Sequence, residues 1–202
     1  MPDKDRDTGE PTPPAPAGAT GASSSVTSSP TLAERCARID LLVLDVDGVL
    51  TDGGIIYGDS GVELKQFHVR DGSGLKIWQF VGKRSALITG RRSKLVEVRA
   101  AELGIDPVIQ GAPEKLPAYR ELLLASGWRP EQVCYVGDDV PDLPVLRHCG
   151  LAVAVADACP EVLADAHYVT RAAGGRGAVR EVVELILRCQ GLWQPLVSQC
   201  AG

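Results

Sequence analysis

No apolar run in this 202-residue chain approaches the roughly 20 residues that cross a bilayer, so no membrane span is expected. Nor is there a broad basic face. Acids and bases are mixed along the chain, the net charge is −5, and nucleic acid is not an expected partner. None of the six cysteines, at 36, 134, 149, 159, 189 and 200, forms a C-x-x-C pair. They read as scattered core residues suited to a reducing cytosol. The first thirty residues lack both a basic start and an apolar stretch, which argues against a secretory signal. The early acids Asp3, Asp5, Asp7 and Glu10 argue against a transit peptide. A cytoplasmic protein is expected. No internal repeat is visible.

What remains is the composition of one globular domain with tails, 45% apolar and long enough for a sizeable core. Residues 1–30 hold six of the fourteen prolines among Ser, Thr, Gly and Ala, with Met1 and Val26 as their only bulky apolar side chains. Such a segment buries too little surface to offset its ordering entropy and is expected to be disordered. Residues 31–190 read as the domain and 191–202 as a C-terminal tail.

The domain is organised around Leu41-Leu42-Val43-Leu44-Asp45-Val46-Asp47-Gly48. Four apolar residues in a row fit a strand buried on both faces. Asp45 and Asp47 follow at its carboxyl end, where open α/β sheets keep their ligands. Two residues apart, they can address one small volume. Carboxylates so close repel unless a cation lies between them, which points to a hard divalent ion with oxygen ligands.

The rest of the chain alternates strands with helices. Thr31–Glu34 fits a capping box that opens a short helix. Gly54–Tyr57 and Val62–Phe67 predict a hairpin around Gly58-Asp59-Ser60-Gly61, standing over the site as a flap. Further strands are predicted at Ser85–Ile88, Val108-Ile109, Gln132–Val136, Leu151–Val155 and Tyr168-Val169. Helices are predicted from Asp71 to about Val81, over 93–103, from Pro113 to about Ala125, around Leu143–Arg147, near Pro160–Ala164 and over Ala178–Cys189. The expected fold is α/β, a doubly wound, mainly parallel sheet with crossover helices. The last twelve residues show no clear period.

Four features follow in order: Asp45/Asp47, Thr89 after Ala86-Leu87-Ile88, Lys115 at a helix start, and Gly137-Asp138-Asp139-Val140-Pro141-Asp142 after a strand. Together with Asp45-Val46-Asp47-Gly48-Val49-Leu50-Thr51, this set resembles the motifs of the haloacid dehalogenase superfamily. The resemblance implies phosphate-ester hydrolysis with Mg²⁺. Asp45 would be the nucleophile, giving an aspartyl-phosphate, and Asp47 the acid/base. Thr89 and the Gly90 amide would hold phosphate oxygens, and Lys115 would supply fixed positive charge. Asp45, the Asp47 carbonyl and Asp138 would hold the metal, with Asp139 completing its shell directly or through water. Asp142 would hold nearby groups.

A narrower resemblance runs from Asp45 to about Gly191. It is carried by Asp45–Asp52, Val69-Arg70-Asp71-Gly72, Ile88-Thr89-Gly90-Arg91, Tyr135–Asp139, Val153–Ala158, Tyr168–Arg171 and Gly174-Gly175-Arg176-Gly177-Ala178-Val179-Arg180-Glu181. These segments resemble the 3-deoxy-D-manno-octulosonate (Kdo) 8-phosphate phosphatases and their relatives acting on nonulosonate 9-phosphates. The resemblance implies a homotetramer with packed flaps and no large cap domain. Only about twenty residues separate Asp47 from the Asp71 helix, in keeping with that. A sugar acid also carries a carboxylate, which arginine suits through paired hydrogen bonds. Arg70, Arg91 and Arg176 are the candidates, Arg70 foremost. His68 and the tail after Gly191 depart from the pattern. Hydrolysis of Kdo 8-phosphate, for cell-envelope polysaccharide supply, is the leading expectation. A nonulosonate 9-phosphate phosphatase, a phosphotransferase and a non-catalytic binding protein of the same fold are the alternatives.

Overall fold

A computed structural model describes residues 29–200, except for the side chain of Cys200. Residues 1–28, most of the segment expected to be disordered, lie outside the described residues, as do 201 and 202.

Thr31 opens α1 (Leu32–Cys36), and its side chain and that of Glu34 form the expected reciprocal cap. The first strand, β1 (Leu41–Leu44), is buried at every position. Then come the flap strands β2 (Ile56–Tyr57) and β3 (Glu63–Leu64), followed by α2 (Val69–Phe80), β4 (Arg84–Thr89), α3 (Lys94–Leu103), β5 (Val108–Gln110) and α4 (Lys115–Ser126). The second half runs β6 (Val133–Gly137), α5 (Leu143–Leu146), β7 (Leu151–Ala154), α6 (Pro160–Asp165), β8 (Tyr168–Val169), α7 (Ala178–Cys189) and α8 (Trp193–Cys200).

Six strands form one parallel sheet in the order β5-β4-β1-β6-β7-β8. The chain builds outward from β1 through β4 to β5, then returns to β1's other edge with β6. That reversal is the topological switch point of an open α/β sheet, where strand ends diverge and leave a crevice. It places the carboxyl ends of β1 and β6 side by side, with Val43 opposite Tyr135 and Leu44 opposite Val136. Asp45 and Asp138 are the next residues out on each strand.

The helices fall into two groups that enclose the sheet. One contains α1, α2, α3, α7 and α8, and the other α4, α5 and α6. In α7, Val179, Val182, Val183, Ile186 and Leu187 are buried at helical spacing, a continuous apolar stripe against the sheet. Its first turn is capped from another element. Asp71 of α2 accepts hydrogen bonds from the backbone N–H groups of Gly177 (3.2 Å) and Arg180 (2.8 Å), so the acid of the Val-Arg-Asp-Gly segment ties two helices together.

Two expectations need correction. The flap strands are two residues each rather than four to six, because the hairpin pairs with no other strand and rests on side-chain anchors. The tail is not irregular over its whole length: Trp193–Cys200 is a helix. Trp193, Leu196 and Val197 are spaced i, i+3, i+4, a period too brief to stand out in sequence. The buried Trp193 ring lies between the Arg180 and Arg188 guanidinium groups, 5.0 and 5.2 Å from its centre.

Candidate active site

The loop after β1 is shaped by close approach. Gly48 has φ +94°, and a Cβ there would stand 2.0 Å from Asp138 Oδ2. Only glycine lets this turn pass beneath the carboxylate. Behind the turn lies the Gly174-Gly175-Arg176-Gly177 segment. A Cβ on Gly174 would fall 1.7 Å from the Gly48 carbonyl oxygen, and Gly175 N–H donates to Val49 O at 2.9 Å. The glycine pair is thus a packing requirement: it lets one backbone lie directly on another behind the carboxylate loop.

Asp45, Lys115 and Asp138 meet in front of the loop, and Thr89 ends β4, the strand paired with β1. Asp45, Thr89 and Lys115 are buried, and Asp138 is half-buried. The Lys115 ammonium lies 2.9 Å from Asp45 Oδ1 and 2.6 Å from Asp142 Oδ1. The contact to Asp45 is an ion pair by distance, but it is not aligned as a hydrogen bond, and that oxygen has no other partner. Burial pulls the lysine pKa down; the Asp45 and Asp142 carboxylates outweigh it, and the net shift is upward.

Asp142 is the organiser of the cluster. It is fully buried, and its Oδ1 accepts from Lys115 and from the Tyr135 hydroxyl (2.5 Å). Its Oδ2 accepts from the backbone N–H groups of Asp138 (3.1 Å) and Asp139 (3.3 Å). With four donors it has little left for a metal. The partner Tyr135 was not among the sequence candidates, because a strand tyrosine reads as core until the topology sets it beside Asp142.

Asp45, Asp138 and Asp142 have oxygens within 4.8 Å of one another, the one such acidic group among the described residues. Burial pushes the Asp45 carboxyl up to about 6, Lys115 opposing and Asp142 adding to the shift. Burial and the charges of Asp45 and Asp142 push Asp138 up to about 8. Asp138 Oδ1 is buried without a partner, and Asp45 Oδ1 has only its ion pair with the Lys115 ammonium. Two mutually repelling carboxylates side by side, one with an unpartnered oxygen, are a donor set that fits a hard divalent cation.

The other candidates lie elsewhere. Asp139 caps the turn that follows β6, its Oδ1 accepting from Val140 N–H at 2.8 Å, and its side chain is outside the acidic group. Asp47 turns its carboxylate to the flap, touching the Lys65 ammonium and lying 3.6 Å from Arg91 Nε. Arg91 also reaches Glu63 (3.2 Å) and the Tyr57 hydroxyl (3.3 Å) of the flap. Arg176 pairs with Asp52 at 2.9 Å. Arg70 and Arg176 line a separate cavity of about 630 Å³ with Arg171, Arg180, Arg188 and Glu181. None of Asp45, Asp47, Thr89, Lys115 and Asp138 borders it. Lys65 was also missed, although Glu63 and Lys65 alternate with Val62 and Leu64 and so share one face of the flap.

Comparison with known proteins gives this geometry a family. A family model described as haloacid dehalogenase-like hydrolase matches residues 105–182. The chain is 55% identical over 157 residues to the 3-deoxy-D-manno-octulosonate 8-phosphate phosphatase KdsC of Yersinia pestis, covering 78% of this chain and 84% of that protein. A crystal structure of the Yersinia pestis phosphatase superposes with a TM-score of 0.79 at 54% identity, covering 80% of this chain and 88% of that one. The Moraxella catarrhalis enzyme, solved with magnesium, phosphate and KDO, superposes with a TM-score of 0.81 at 42% identity, covering 83% and 96%. With this identity over nearly the whole length of its relatives, and with the carboxylates gathered at the sheet's switch point, the chain belongs to the 3-deoxy-D-manno-octulosonate 8-phosphate phosphatase family of haloacid dehalogenase-like hydrolases.

Proposed function

We propose that this protein hydrolyses a sugar-acid phosphate monoester, Kdo 8-phosphate, to the sugar acid and inorganic phosphate. The observation that carries the reading is the convergence of Asp45, Lys115 and Asp138 at one crevice of a chain 55% identical to such a phosphatase.

Asp45 and Asp138, with the backbone carbonyl of Asp47, would hold Mg²⁺, and Asp139 is near enough in sequence to reach the ion's shell through water. When bound, the ion neutralises the carboxylates and the phosphate that must approach them. Asp45 attacks phosphorus, and the bond to the sugar oxygen breaks as Asp47 gives that oxygen a proton. The products of this step are the free sugar acid and an aspartyl-phosphate. Asp47, now ionised, takes a proton from a water as it attacks phosphorus; the bond to Asp45 breaks and phosphate leaves. Lys115 steadies Asp45 through both steps, held in place by Asp142. Thr89 and the Gly90 amide hold the phosphate oxygens, and Arg91 is the cation offered to the substrate carboxylate, since it already lies beside Asp47 while Arg70 and Arg176 line the separate cavity.

We place the enzyme in the cytoplasm, which suits the five free cysteines among the described residues. No helix among those residues is long and apolar enough to cross a membrane. We also propose a homotetramer. Ile55, Ile56, Tyr57, Val62 and Leu64 are each at least half exposed on the flap, an apolar surface suited to a partner subunit.

The test is phosphate release with and without Mg²⁺, from Kdo 8-phosphate, two nonulosonate 9-phosphates and a hexose phosphate, beside Asp45→Asn. Mg²⁺-dependent turnover that prefers Kdo 8-phosphate and vanishes in the variant supports the reading. Preference for a 9-phosphate replaces the substrate and keeps the mechanism. No turnover by a folded protein overturns it.

A further inference from the structure

The flap carries an inverted pattern. In a hairpin lying on a protein, apolar side chains face inward. Here Val62 and Leu64 point to solvent, while Glu63 and Lys65 point to the body of the protein. The inward pair forms a latch. Glu63 Oε2 accepts from the Ser93 hydroxyl at 2.6 Å, and Glu63 Oε1 lies 3.2 Å from Arg91 Nη2. Both anchors belong to the segment after β4, so Glu63 fixes where the flap sits. Lys65, one pleat further on, is thereby delivered to Asp47.

The Lys65 side chain is 1% exposed, an uncommon state for a lysine on a surface hairpin. Its ammonium touches Asp47 Oδ1 and lies 3.6 Å from Glu63 Oε1. An ammonium has three donors and burial makes an unused one costly. Asp47 takes one, and Glu63 draws a second by charge at 3.6 Å, too far for a hydrogen bond. The third, beside the carboxylate that meets the leaving oxygen, has no acceptor among the described residues.

On the reading of the reaction given above, we infer that Lys65 is the flap's positioning residue for Asp47. It holds that carboxylate toward the leaving oxygen and gives its third donor to a substrate oxygen next to the bond that breaks. The flap then does more than cover the site: closing it aligns the proton donor. Without Lys65, Asp47 is free to turn to water, while the attack of Asp45 on an ester whose leaving group needs no proton is untouched.

The test separates proton donation from phosphorus chemistry by leaving group. The sugar alkoxide needs a proton to leave, and p-nitrophenolate does not. Wild type, Lys65→Met and Lys65→Arg, all full-length with Mg²⁺, are compared in the single-turnover rate of leaving-group release from Kdo 8-phosphate and p-nitrophenyl phosphate, a step that precedes the Asp47-assisted attack of water common to both. Thermal melting shows whether each variant folds. Lys65→Met is expected to lose about 100-fold in that rate on the sugar phosphate, the low end of a general-acid contribution. On p-nitrophenyl phosphate it should lose less than about 3-fold, and Lys65→Arg should recover most of the sugar-phosphate rate. Equal losses on both substrates, or no loss on either, would overturn the inference. Inactivity of wild type on both esters would instead sink the phosphatase reading itself, so the two failures are distinguishable.

Discussion

Replacing Asp138 by asparagine should stabilise the metal-free protein while destroying its metal response. Asp138 is a carboxylate crowded by Asp45 and Asp142, and burial and these charges push it up to about 8 from an ordinary 3.8. A carboxyl raised in the folded state binds a proton that the unfolded chain releases. Metal-free wild type should therefore lose stability as pH rises from about 4 to about 8. At pH 7 about three units separate the medium from the ordinary value, and at about 1.4 kcal/mol per unit the cost is about 4 kcal/mol. Asp138 is only part-buried, and solvent screening reduces this to about 2 kcal/mol. Asparagine keeps the shape and removes the charge, so in EDTA at pH 7 Asp138→Asn should melt about 4–8 °C above wild type. At pH 4 the gap should close. Added Mg²⁺ should raise the wild-type melting temperature and leave the variant's unchanged. Differential scanning fluorimetry over this pH range, with EDTA or Mg²⁺, reads all three effects. A variant that melts below wild type in EDTA at pH 7, or that gains as much from Mg²⁺, would refute the picture of a repulsive, cation-seeking cluster.

Gly174→Ala puts a methyl carbon into the Gly48 carbonyl, 1.7 Å away, and neither backbone can yield cheaply. It should cost about 2–3 kcal/mol in urea unfolding and at least about tenfold in turnover, because the loop that carries Asp47 must shift. Asp71→Ala removes the acceptor for two N–H groups of α7 and should lower stability by about 1–3 kcal/mol, with Asp71→Asn recovering part of it in thermal melts. Trp193→Ala strips two guanidinium contacts and a buried ring from α8, and should cost about 2–3 kcal/mol while making the C-terminal helix an early trypsin site.

The residues of the candidate site were largely legible in the sequence because their chemistry and their spacing coincide. An apolar run that ends in Asp45 and Asp47 gives a buried strand with carboxylates at its ligand-bearing end, and Gly137-Asp138 repeats the pattern. Alternating strand and helix signals gave the parallel sheet for the same reason: periodicity is local. The sequence also held Lys65, Tyr135 and the Gly174-Gly175 pair without showing what they do. Lys65 reaches Asp47 only because the hairpin folds over β1, and Tyr135 reaches Asp142 only because β6 precedes a tight turn. The pair of glycines is explained only by the Gly48 backbone pressed against it from 126 positions earlier.

What the sequence determined by itself was therefore the kind of chemistry: carboxylates, a threonine and a lysine in an order that suits phosphate esters, on strands whose burial is set by their own composition. What the tertiary structure decided was which groups share a volume. The reversal of strand order at β1 brings Asp45 and Asp138 together and leaves Asp138 Oδ1 without a partner. It also lets Asp142, expected from the sequence to hold nearby groups, take four hydrogen bonds and fix the lysine. Charge repulsion, burial and hydrogen-bond satisfaction depend on distances through space, and a linear pattern does not carry those distances until the chain is folded.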